Sequence, residues 1–168
     1  MHGVLQVLTE PQPNDIIVLM IPDFDNRGNL PPGLHPAEWT AFVERFGHTA
    51  ERRRLINGLQ SAILPLSGAG CRGLYVDGSF VTAKLSPQDF DVVLETEGVD
   101  LQALMSSEPV FFRFESRRAA QKAKFGGEFF PSGIEAGPSG KTFLEFFQTD
   151  RMGNPKGLVR LDIKDMKP

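Results

Sequence analysis

The chain has 168 residues, 40% of them hydrophobic and 23% charged, with a formal net charge of −3. That length predicts one domain with a substantial core, and that charge argues against a protein that coats nucleic acid non-specifically, though not against a local basic groove. The single cysteine, Cys71, excludes an internal disulfide and a cysteine-built zinc site and fits a reducing cytoplasm, while the apolar run at residues 16–21 is far too short to cross a bilayer.

Residues 1–20 read as an N-terminal extension, because Met20 directly precedes Ile21-Pro22-Asp23-Phe24, which looks like the start of a domain spanning residues 21–168. A strand at residues 16–20 is the alternative. Gly28, Pro31, Pro32, Gly33 and Pro36 mark residues 22–36 as a loop. A first helix is expected from Pro36, with Trp39, Phe42, Val43 and Phe46 on one face and Gly47 ending it. Thr49 caps a second, with Leu55, Ile56, Leu59, Ile63 and Leu66 inward. Residues 73–77 and 90–95 read as strands, residues 99–105 and 116–124 as helices. Three further strands are expected at residues 129–134, 142–148 and 158–163, the last two joined by a hairpin-like connection at residues 150–155. Two helices, then strands with intervening helices, then more strands make an α+β fold with a small mixed β-sheet packed against helices.

The chemistry-bearing stretch is Val76-Asp77-Gly78-Ser79, nine residues, then Asp89-Phe90-Asp91-Val92-Val93. Gly78 lets backbone approach a ligand closely, and Ser79 adds a hydroxyl and an N–H. Alternation along a strand puts Asp89 and Asp91 on one face and Phe90 on the other. Two adjacent carboxylates repel unless a cation lies between them, and hard oxygen donors suit Mg²⁺ or Mn²⁺. A phosphate cradle beside such an ion is what phosphoryl and nucleotidyl transfer require. Taken alone, Gly78-Ser79 is an ordinary strand-ending turn, and Asp77 reads as a turn residue. Lys84, in the spacer, is placed to reach a triphosphate if it is not a solvated loop lysine. Arg52, Arg53 and Arg54 read as a solvated helix face.

This pattern resembles the polymerase-beta-like nucleotidyltransferase superfamily, closest to its minimal bacterial members. More narrowly, residues 21–34, 75–93 and 143–157 look like an uncharacterised bacterial family assigned to it. The resemblance implies a nucleotidyltransferase-like fold and Mg²⁺-dependent transfer of a nucleoside monophosphate from a nucleoside triphosphate. It implies that Asp89 and Asp91 hold metal, that Gly78 and Ser79 bind the triphosphate, and that a third acid completes the site. Glu145, within Phe143-Leu144-Glu145-Phe146-Phe147, is the preferred third acid and Asp162 the alternative. Glu145 departs from the superfamily's usual Asp. The acceptor would be an RNA such as tRNA, a protein or a small molecule, and a toxin–antitoxin or defence partner is implied. The competing expectation is an inactive nucleotide- or protein-binding module acting as an antitoxin-like partner.

Overall fold

The computed structural model describes residues 20–164 and 166. The expectations for residues 1–19 lie outside the described residues. The fold is α+β: a five-stranded mixed sheet and five helices. In chain order these are β1 (Gly33–Ala37), α1 (Trp39–Phe46), α2 (Ala50–Gly68), β2 (Gly73–Asp77), β3 (Phe90–Leu94), α3 (Leu101–Ser107), α4 (Glu115–Phe125), β4 (Gly127–Pro131), α5 (Phe143–Phe146) and β5 (Gly157–Asp162). The sheet order is β1-β5-β2-β3-β4. β2 is antiparallel to both β3 and β5, while β1 runs parallel to β5 and β4 parallel to β3.

One sheet face carries Leu74, Val76, Val92, Phe129, Val159 and Leu161 and packs on Phe42, Leu55, Leu59 and Ile63 of α1 and α2. α2 starts at Thr49, whose side chain accepts from the Arg52 N–H. It lies so close to α4 that a Cβ on Gly58 would sit 1.9 Å from the Phe125 carbonyl. Gln121 of α4 is fully buried. It donates to the Phe111 carbonyl (3.0 Å) and accepts from the Phe129 N–H (2.9 Å), fixing edge strand β4 to its helix. The other face presents Tyr75, Val93 and Leu158, with Phe143, Leu144 and Phe147 over them.

Two expectations change and a third holds in part. Residues 33–37 form β1 rather than a loop and a helix start. Pro36 is tolerated there because β1 is an edge strand. Residues 142–148 form no strand. Thr142 and Glu145 make a capping box, and a helical turn follows. The segment at residues 150–155 keeps its hairpin-like form, closed by an antiparallel Thr149–Pro155 bridge and by the Asp150 N–H donating to the Asn154 carbonyl at 2.8 Å, but it leads from α5 rather than from a strand into β5. Asp150 holds it by accepting from the Met152 and Asn154 N–H groups, each at 2.9 Å.

Candidate active site

Strand register assembles a row of acids. Asp77 of β2 pairs with Asp91 of β3, and Asp91 pairs with Glu128 of β4. Paired residues of neighbouring strands share a face and stand about 5 Å apart. Three carboxylates therefore cross three adjacent strands on the face away from α1 and α2. Asp89, two residues before Asp91, lies at the end of this row. A cleft of about 730 Å³ opens beside it, lined by Asp77, Gly78, Ser79, Lys84, Asp89, Asp91, Phe146, Asp150 and Lys156 among others.

Two lysines partly offset these acids. Lys156 Nζ lies 2.6 Å from Asp77 Oδ1, in a pair that is nearly enclosed. Lys122 Nζ bridges Asp89 Oδ2 at 3.1 Å and Glu128 Oε1 at 2.8 Å. Both contacts raise the Lys122 pKa, Glu128 most. Asp91 has no cation in contact among the described residues. Its pKa is pushed up to about 7, first by burial and then by Asp77, Glu128 and Asp89. Burial likewise raises Asp77 against the opposing pull of Lys156.

The turn after β2 is shaped for this neighbour. Gly78 has φ 80°, and a Cβ there would lie 2.7 Å from Asp91 Oδ2. A short 3₁₀ turn, Ser79–Val81, follows. Gly78→Ala is expected to cost about 1–3 kcal/mol, from backbone strain and the Asp91 clash together, measured by urea denaturation.

Behind the turn stands Arg52, fully buried on α2. Its guanidinium donates to the carbonyls of Phe80 (2.7 Å), Thr82 (3.0 Å) and Lys84. The expectation of a solvated face therefore fails for Arg52. It is the clamp that fixes the loop carrying Lys84.

The structure brings Gly78, Ser79, Lys84, Asp89 and Asp91 to one cleft and leaves out both expected third acids. Glu145 is exposed. Its Oε2 accepts from the Thr142 N–H (2.8 Å) and hydroxyl (3.0 Å), so the carboxylate serves the α5 cap. Asp162 pairs with Gly73, four residues along β2 from Asp77, so it lies about 13 Å down the sheet. There it lines a second cavity of about 550 Å³ with Arg72, Glu95 and Arg160. Glu128, not singled out by the sequence, is the acid that register places beside Asp91. Its signal was present: with a strand begun at Gly127, Glu128 alternates with core Phe129. Asp77, read as a turn residue, belongs to the row as well.

A metal would have to enter as Lys122 leaves. Among the described residues, no three His, Cys, Asp or Glu side chains stand ready to hold an ion. The donor set nonetheless fits a hard divalent cation. It offers carboxylate oxygens from Asp89, Asp91 and Glu128, with an ammonium standing where a cation bridges two of them.

Flanking the row, α4 begins with a strained turn. Ser116, Arg117 and Arg118 have φ of 51°, 54° and 54°, left-handed for three residues with side chains. Such a run costs roughly 1–2 kcal/mol per residue.

Residues 22–162 match the model described as a family of unknown function, DUF6932, and the chain belongs to that family. No curated protein and no solved structure matches it.

Proposed function

We propose that this member of the family of unknown function is a metal-dependent nucleotidyltransferase of the polymerase-beta-like kind. The observation that supports this most is the acid row Asp77–Asp91–Glu128, with Asp89 at its end and the Gly78-Ser79 turn against Asp91. In this reading Asp89, Asp91 and Glu128 hold the cation, replacing the set built on Glu145 or Asp162. A bound Mg²⁺ would supply charge neutralisation for a triphosphate and orient its reacting phosphorus. Gly78, Ser79 and Lys84 take the outer phosphates. The acceptor hydroxyl forms a bond to the α-phosphorus, the bond to the bridging oxygen breaks, and pyrophosphate leaves. The hydroxyl proton passes to a carboxylate of the row. The acceptor is an RNA end, a protein hydroxyl or a small molecule, and a toxin–antitoxin setting is the proposed context. Among the described residues no helix is long and apolar enough to cross a membrane.

One observation favours a second reading. Lys122 already bridges Asp89 and Glu128, as a binding module without catalysis would have it. Radiolabelled nucleoside triphosphates, Mg²⁺, total RNA and cell protein separate the two. Transfer to a macromolecule with pyrophosphate release is expected, falling at least about 10²–10³-fold in Asp89→Asn and Asp91→Asn. Asp162→Asn is expected to transfer normally. A wild-type chain that releases no pyrophosphate in any mixture supports the binding module instead.

A further inference from the structure

We propose that Arg118 forms a phosphate-binding subsite at the β4 side of the acid row, presented to ligand by an aromatic box. The inference rests on the nucleotidyltransfer reading for the identity of its ligand. Its physical basis is separate. The Arg118 guanidinium lies 4.2 Å from the Phe130 ring centroid, 5.3 Å from Phe114 and 5.9 Å from Phe143. Cation–π contact with three rings holds the guanidinium without consuming its N–H donors, which stay available to an anion.

The nearby acids do not take those donors. Glu128 and Asp91 are close enough to be felt electrostatically. Yet Glu128 pairs with Lys122, and no carboxylate lies within ion-pair distance of Arg118 among the described residues. Arg118 Nε is buried with no hydrogen-bond partner among the described residues. A guanidinium kept only to neutralise the acids would form a forked pair with one of them. This one is held beside them and unpaired.

The backbone points the same way. Arg118 ends the left-handed run that starts at Ser116, and the strain persists although none of the three residues is glycine. Backbone of this kind is retained where surrounding structure fixes a side chain in a required place. Next to oxygen donors suited to a divalent cation, the anion that satisfies both is a phosphoryl group, through one oxygen to the cation and others to the fork. Its source is either the donor triphosphate or a phosphate of an acceptor strand. Phe114, 53% exposed beside Arg118, offers a ring to a base in either case.

The test uses the full chain with Mg²⁺ and three probes: inorganic tripolyphosphate, a non-hydrolysable ATP analogue and a short single-stranded RNA. Arg118→Gln is expected to weaken at least one probe about tenfold or more. Arg118→Lys is expected to fall well short of the wild type, because an ammonium keeps the charge and loses the fork. Arg117→Ala on the exposed side is the control, expected to bind as the wild type does. Loss for tripolyphosphate and the ATP analogue assigns the donor as source, and loss for RNA alone assigns the acceptor. Equal binding of all probes by a folded Arg118→Gln, or no binding of any probe by the wild type, overturns the proposal. Repeating the titrations in an Asp91→Asn chain separates the two ideas. Binding that depends on Arg118 while no chain transfers nucleotide leaves the subsite standing and removes the enzyme. Transfer without dependence on Arg118 does the reverse.

Discussion

Asp91→Asn is expected to make the metal-free protein more stable at pH 8 than the wild type, while lowering the proposed transfer at least about 10²-fold. Burial and three neighbouring acids push the Asp91 carboxyl from its ordinary 3.8 to about 7. The native state therefore binds a proton that the unfolded chain has released between these values. The Asp91 contribution to wild-type stability falls as pH rises from about 4 to about 7 and levels off above. At about 1.4 kcal/mol per pH unit, the full difference is on the order of 4 kcal/mol, and a gain of roughly half that or more is expected at pH 8. Asparagine keeps the shape and carries no charge. At pH 4, where the wild-type group is already neutral, the two chains should unfold alike. Urea denaturation in EDTA at both pH values reads this directly. A less stable variant at pH 8 would mean that the fold itself satisfies the carboxylate. Instability of this kind is what a site kept for ligand rather than for stability carries.

Arg52→Met is expected to cost about 3 kcal/mol and to loosen the loop at Thr82 and Lys84. The guanidinium is buried without a carboxylate partner among the described residues. It is offset by carbonyl acceptors and by the Phe80 ring 5.1 Å away. Burial lowers its pKa, which marks the desolvation the fold tolerates to keep it. Methionine fills the volume and leaves those carbonyls unpaired, each loss worth about 1–3 kcal/mol and partly regained by removing a buried charge. Arg53→Met, at a neighbouring exposed position, should change stability by under about 0.5 kcal/mol. Amide hydrogen exchange at residues 80–84 should rise in the Arg52 variant alone. An Arg52 chain with wild-type stability would show that the loop holds itself.

The centre of the site was legible because it obeys local rules. Gly78 is required by a left-handed φ and by the closeness of Asp91. Asp91 follows from alternation against Phe90, which is fully buried. The place of Glu128 in the acid row was hidden because Gly126-Gly127 reads as the end of a helix. Gly126 does end α4 with φ 86°, but Gly127 already begins β4. Residues 142–148 carried two signals at once, apolar density for a strand and a Thr-x-x-Glu capping box for a helix. The helix won, and it took Glu145 with it. β1 was hidden by Pro36 and by a parallel partner more than a hundred residues away. The parts played by Lys122, Lys156, Arg52 and Arg118 depend on which strands and helices meet, and no spacing within the sequence announces that.

The most direct measurement is Mn²⁺ binding by the full chain at pH 8, followed by electron paramagnetic resonance. One bound ion is predicted, weakened about tenfold or more in Asp91→Asn and Glu128→Gln and strengthened in Lys122→Met. Glu145→Gln and Asp162→Asn should bind as the wild type does. A wild-type chain that binds no Mn²⁺, or one that loses its ion on substituting Glu145 or Asp162 but not Glu128, would contradict the account.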